Sequence, residues 1–268
     1  MEEKEQQMLL LAQALPAVAA QLRATLANMH AALSAGDEPG ACILRQSYYR
    51  MLRTVTNLTD AAMLADDTPL PKQDVDLVIL VDELCRQAQP LAEACGLTLR
   101  VDIRPRHLVV GINPTYTQRL LWNLLSNAMK FTSSGGEIGI TLSALGSQAV
   151  LQVSDTGCGI APEVQDTVYE RILHRTKMDP PPNGLGLGLG LGLGLGLCRC
   201  FARRQGGNLL LHSVPGQGTC VTVSLPAVRC GGAAVQDVPF HYAGGFQPVM
   251  MELADALPYR GFVEKNLN

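Results

Sequence analysis

Charge is scarce in this chain: 17% of its 268 residues are Asp, Glu, Lys or Arg, and the net charge is −3. Without a basic excess there is no general electrostatic attraction for nucleic acid or for an anionic membrane surface. Long apolar runs are missing too, and none approaches the roughly 18 to 20 residues that a membrane span needs. The N-terminus, Met1-Glu-Glu-Lys-Glu5, is acidic and so unlike a secretory signal. These absences lead us to expect a soluble, cytoplasmic protein. The eight cysteines form no metal or redox motif, since Cys198 and Cys200 are one residue too close for Cys-x-x-Cys. Buried free thiols are the expectation. Two nucleotide motifs are also lacking. No Gly-x-Gly-x-x-Gly follows a first strand with an acidic residue about twenty positions on, and no Gly-Lys-Ser/Thr marks a P-loop. What remains is a hydrophobic fraction of 47%, that of a globular chain rather than a disordered one.

Periodicity divides the chain. Leu11, Leu15, Val18, Leu22, Leu26, Met29 and Leu33 recur at spacings of three and four, the mark of a helix with one apolar seam. Pro16 should kink it. A turn cluster at Gly36, Asp37, Pro39 and Gly40 separates it from a second stripe at Leu44, Tyr48, Met51, Val55, Leu58 and Ala62. Two helices alone cannot cover both seams, so a hairpin over residues 1–66 is expected to dimerise into a four-helix bundle. The charged, Pro-containing stretch 67–72 reads as a linker. Beyond it, helices are predicted over Leu77–Ala94, Pro114–Phe131 and Leu197–Arg204, and strands over Leu97–Ile103, Glu137–Leu145, Ala149–Asp155, Asn208–Val214 and Thr219–Leu225. Strands mixed with helices point to an α+β class, a two-layer α/β sandwich over residues 73–226 with a mixed sheet and helices on one face. Residues 227–268 form a tail in which Pro248–Leu257 has short amphipathic character, with Val249, Leu253 and Ala256 on one side. It would dock on this chain or on a partner.

Three sequence boxes carry chemistry. Asn123, Asn127 and Lys130 are spaced i, i+4, i+7 and share one helical face, opposite Leu121, Leu124, Leu125 and Ala128. Taken alone, this is also the pattern of an ordinary amphipathic helix. A carboxamide oxygen is nonetheless a suitable Mg²⁺ ligand, and a lysine nearby neutralises phosphate. Asp155 ends a strand and enters a turn, Asp155-Thr-Gly157-Cys-Gly159. A carboxylate there accepts a hydrogen bond from an exocyclic amine, while Gly157 and Gly159 let backbone approach a purine; an ordinary Asx turn has the same sequence. Finally, Gly184–Leu197 consists of seven Gly-Leu pairs and feeds a helix. Glycine-loop N–H groups at a helix start make an anion site, although part of the run is simple repeat expansion.

The order of these boxes, followed by Gly216-x-Gly218-Thr219, resembles the ATP-binding domain of the histidine kinase/gyrase superfamily, in its two-component histidine kinase branch. The resemblance covers about residues 74–226. It implies ATP and Mg²⁺ as cofactors, with Asp155 reading adenine and Thr219 assisting through water. It gives Asn127 the metal, Lys130 a phosphate and Asn123 a place in the same nucleotide site. Gly190, Gly192 and Gly194 become the phosphate-loop glycines, in a register that also fits one pair to either side. Ala161–Asn183 falls where the family keeps a lid over ATP, with Tyr169 in place of a Phe.

Two departures from the family shape the functional expectation. Hydrolysing members carry a Glu where this chain has Asn123, and an amide cannot serve as the base that activates water. The family's His-Glu-Leu-Arg-x-Pro-Leu segment aligns with Ala20-Gln21-Leu22-Arg23-Ala24-Thr25-Leu26, so Ala20 replaces the phosphorylated His and Gln21 its acidic neighbour. His30 lies ten residues on, roughly 15 Å along a helix. The resemblance therefore implies a homodimeric kinase that transfers phosphate to a non-standard or external acceptor, such as a response regulator or phosphotransfer protein. The alternative is a regulatory module that binds nucleotide without catalysis.

Overall fold

A computed structural model describes residues 38–64, 69–165, 193–231 and 247–262. Helix α1 spans Glu38–Leu64. Strand β1 (Gln73–Asp76) leads into α2 (Leu77–Ala94). Strands β2 (Thr98–Ile103) and β3 (Val109–Ile112) precede α3 (Pro114–Phe131). The hairpin β4 (Glu137–Leu145) and β5 (Gln148–Asp155) is followed by the single turn α4 (Pro162–Gln165). Helix α5 (Leu193–Arg204), β6 (Asn208–Val214) and β7 (Gly218–Pro226) complete the sheet layer and its helices, and α6 (Pro248–Glu252) lies in the tail.

Five strands form one sheet in the order β2-β4-β5-β7-β6. The β2–β4 pair is parallel and the others antiparallel, so the sheet is mixed, as expected. Alternation decides its two faces. Ile138, Ile140 and Leu142 of β4, Leu151 and Val153 of β5, and Val221 and Val223 of β7 are buried. They meet Leu84 of α2, Leu120, Leu124 and Leu125 of α3, and Phe201 of α5 in one core. The intervening Gln152 and Thr222 bond to each other on the half-exposed opposite face. The two-layer α+β sandwich read from the sequence is borne out.

Local chemistry sets the helix starts. Asp76 caps α2 by accepting from Val78 N–H at 3.0 Å, and its carboxylate also takes Leu108 N–H. Asn113 caps α3 through Tyr116 N–H, with Pro114 at the first helical position, where a missing N–H costs nothing. Helix α5 begins at Leu193, four residues earlier than predicted, because a Gly-Leu repeat can enter a helix as readily as a loop. The sequence reading missed β1 and β3, an antiparallel pair of four residues each. So short a pair shows no measurable alternation.

Helix α1 departs most from expectation. It already includes Pro39 and Gly40, which read as a turn; proline is tolerated in a first helical turn. Its apolar stripe is not its buried face. Cys42, Gln46, Tyr49, Arg53, Asp60 and Leu64 are buried, whereas Leu44, Tyr48 and Met51 are half-buried and Val55 is 48% exposed. The buried side lies on the sandwich and on the tail. Gln46 Nε2 donates to Leu257 O at 2.7 Å, Arg50 Nε to Ala254 O at 3.1 Å, and the Tyr49 and Phe262 rings are 5.8 Å apart. The tail thus docks on this chain, with Met250, Met251, Leu253, Ala254 and Leu257 buried. Its helix is shorter than read, ending at Glu252. The predicted first helix, with Ala20, Gln21 and His30, lies outside the described residues.

Candidate functional site

Strands β5 and β7 bring Asp155 opposite Thr219 in register. Asp155 Oδ1 accepts from Gly157 N–H at 2.9 Å and from Thr219 N–H at 3.2 Å, which fixes the carboxylate. Among the described residues Oδ2 receives no hydrogen bond. Burial pushes the Asp155 carboxyl up from its ordinary range, and the two N–H groups pull it back. The Thr219 hydroxyl meets Ser213 Oγ at 2.9 Å. It stands beside Asp155 but is engaged with a residue that the sequence reading did not single out.

Three glycines keep this corner narrow. A Cβ at Gly157 would run into the Phe131 carbonyl, and one at Gly218 into the Asp155 carbonyl. Gly159 has φ +68° and lies against Val214. Cys158 N–H reaches Phe131 O at 3.2 Å, so the turn is tied to the end of α3. The groups read from two separate motifs are in this way brought to one place.

The helix whose end holds this turn, α3, also carries a polar face. Asn123 is buried and Asn127 and Lys130 are half-buried, while Leu121, Leu124, Leu125 and Ala128 enter the core as predicted. Gly194, in the first turn of α5, faces this side. A Cβ built there would lie 3.6 Å from Asn123 Oδ1 and 3.8 Å from Asn127 Nδ2. Gly190 and Gly192 lie outside the described residues, as do Tyr169 and the segment 166–192. Burial pushes the Lys130 amine down; Asp255 raises it again, and Arg53 and Arg50 lower it further. Its Nζ sits 5.3 Å from the Phe131 ring centroid.

The polar face is covered rather than solvated. Arg53 of α1 donates to Asn123 Oδ1 at 2.9 Å and to Ser126 Oγ at 2.8 Å. It also pairs with Asp255 at 3.1 Å and approaches Glu252 at 3.8 Å. Arg119 of α3 pairs with Asp60 of α1 and with Glu252 of the tail. No signal in the sequence joined α1, α3 and the tail, since Arg53 and Asp255 are 202 positions apart. A register for Arg53 and Asp60 on the side of α1 away from its apolar stripe was the only available hint.

The residues fit the groups that the resemblance implies. Asn123 Nδ2 is a buried donor with no hydrogen-bond partner among the described residues, and the cradle at Gly157 and Gly218 admits no side chain. For Mg²⁺ the chain offers one carboxamide, Asn127. That suits a metal that usually keeps several waters and binds substrate phosphates. Of the cysteines, all eight are free; Cys42, Cys85 and Cys198 are buried as expected, whereas Cys158 and Cys230 are exposed because they sit in turns outside the core.

Comparison with known proteins identifies the class. Residues 112–229 match the family described as "Histidine kinase-, DNA gyrase B-, and HSP90-like ATPase". An adaptive-response sensory kinase SasA of Crocosphaera subtropica is 32% identical over 187 residues, 69% of this chain and 47% of that protein. The sensor histidine kinase RppB of Synechocystis is 29% identical over 147 residues, 55% of this chain and 31% of its own length. Among solved structures, the catalytic domain of histidine kinase ThkA superimposes with a TM-score of 0.51 over 59% of this chain and 97% of that one, at 21% identity. ThkA in complex with the response regulator TrrA gives 0.64 over 84% of this chain and 64% of that one, at 16% identity. Residues 112–229 thus belong to this ATPase family, a class built to bind ATP. The relatives described are sensor kinases, and this region is similar to their ATPase part. It spans less than half the length of the curated relatives just described. No helix among the described residues is long and apolar enough to cross a membrane.

Proposed function

We propose that the chain binds Mg-ATP between the Asp155 turn and the α3–α5 end of the cleft, and serves two-component signalling by phosphotransfer to a non-standard or external protein acceptor. In this reading Asp155 Oδ2 accepts from the adenine amine, with Thr219 beside it and Gly157 and Gly159 admitting the base. Asn127 is the one protein ligand to Mg²⁺, which would neutralise phosphate charge, and Lys130 contacts the phosphates. Asn123 and Gly194 border the same space, and Gly190 and Gly192 keep the phosphate role that the resemblance gives them. The observation that carries this reading is the Asp155 carboxylate, which is held through Oδ1 and receives no hydrogen bond at Oδ2 among the described residues. Residues 1–66 are proposed as the dimerisation module, 67–72 as its linker, and 73–226 as the nucleotide domain. A response regulator is the partner that fits this chemistry.

Calorimetry tests the nucleotide part. Asp155→Asn and Asn127→Ala should each weaken Mg-ATP at least about tenfold, since a hydrogen bond to a charged group is worth about 1.5–3 kcal/mol. Wild-type affinity in both folded variants would sink the proposal. The acceptor part is tested with γ-labelled ATP. Little acid-labile label is expected on the chain itself, because Ala20 has no nucleophile and Gln21 is no base. Ala20→His with Gln21→Glu would supply both. Strong label on the unaltered chain that vanishes in His30→Ala would overturn the alignment of the first helix.

A second reading, a nucleotide-binding regulatory module without transfer, draws on the contact of Arg53 and Asp255 at Asn123. That contact fills the polar end of the cleft with the chain's own groups.

A further inference from the structure

The tail reaches the nucleotide cleft through two carboxylates in different situations. Glu252 is fully buried and lies between Arg119 and Arg53, at 3.5 and 3.8 Å. Asp255 keeps 20% of its side chain exposed and pairs with Arg53 at 3.1 Å and Arg50 at 3.5 Å. Arg119 is already matched by Asp60 and Glu252. Arg50 and Arg53 are therefore two guanidinium groups on the one partly exposed carboxylate of the cluster, and Arg53 is shared with Glu252. A single guanidinium bridges that carboxylate and Asn123, whose own Nδ2 is a buried donor without an acceptor among the described residues. A purely structural ion pair has no need of two guanidinium groups beside an unfilled amide. A polyanion uses all of them, through charge-assisted hydrogen bonds in a partly dry site.

We propose that Arg50 and Arg53 of α1 are phosphate-binding residues of the nucleotide site, and that Asp255 occupies their place of action as an intramolecular substitute for the terminal phosphate of a nucleoside triphosphate. This rests on the nucleotide reading above and adds to it a competitor and two ligands outside the ATPase-family region. The tail segment 247–262 and the triphosphate then exclude each other at Arg53. Binding of one releases the carboxylate or phosphate of the other, while the Gln46 side chain, which donates to Leu257 O, keeps the segment close by. Adenosine, which has no phosphate, does not compete.

The test is calorimetric titration of the full chain with Mg-ATP and, separately, with adenosine. Asp255→Asn is expected to tighten Mg-ATP by about tenfold, the scale of one removed charge contact, and to leave adenosine unchanged. Arg50→Gln in that background should cancel the gain for ATP and again spare adenosine. Asp255→Ser, smaller at the same position, is the second variant should the amide pack poorly. An unchanged ATP affinity in both variants, with Asp155→Asn still weakening Mg-ATP at least about tenfold, overturns the inference and leaves the nucleotide reading standing. An equal change for ATP and adenosine means the tail acts by loosening the fold, and also overturns it. No binding of either ligand by any variant removes both.

Discussion

Gly218 shows how much one missing methyl carries. Its φ is +108°, in the region that favours glycine, and a Cβ would collide with the Asp155 carbonyl. Gly218→Ala should therefore destabilise the domain by about 1–3 kcal/mol and displace the Thr219 N–H that holds Asp155. Urea denaturation and an ATP titration on the same sample would check it; normal affinity would mean that the Asp155 carboxylate does not need its second anchor. Residues of this kind were legible in the sequence, since Asp155, Gly157, Gly159 and Thr219 stand in short motifs whose spacing is set by strand pairing. Arg53 was not. Nothing in a helix sequence distinguishes an arginine in solvent from one whose partners lie 70 and 202 positions away.

Among elements, α1 combines a charged buried face with a half-exposed apolar one. Its Asp60 is enclosed with Arg119, and burial lifts its carboxyl to about 6 against the pull of that guanidinium. The folded chain thus holds a proton that the unfolded chain releases near 3.8. This contribution to stability is complete below that value and is lost as pH rises through about 6. Between those limits the wild type should lose stability relative to Asp60→Asn, as read by denaturant midpoints at a series of pH values. Parallel curves would show that the ion pair keeps Asp60 charged throughout. The boundaries of α2, α3, β4 and β6 agree to the residue with those read from the sequence. The orientation of α1 could not, because hydrophobic periodicity ranks faces by apolarity and its buried face is held by ion pairs and amides.

At the scale of the whole molecule, the half-exposed stripe of α1 is the surface proposed for self-association. Leu44→Glu with Met51→Glu should lower the mass found by light scattering at micromolar concentration from dimer to monomer while leaving ATP affinity intact, since neither side chain faces the cleft. A monomeric wild type would remove the proposal. The sandwich itself was legible because its strands and helices follow one another closely in sequence. The packing of α1 and of the tail segment 247–262 on it was not, because it depends on contacts between segments about 200 positions apart. The Arg53 bridge also gives α1 a mechanical property. A side-chain tip at the helix's outer radius of about 5 to 6 Å moves through roughly 2 Å when the helix turns by about 20°. That displacement is enough to break the 2.9 Å bond from Arg53 to Asn123. Rotation of α1 by that angle would release Asn123 together with Ser126, which the same guanidinium holds, so the helix would act on the polar face of α3 as a shaft acts on a gear.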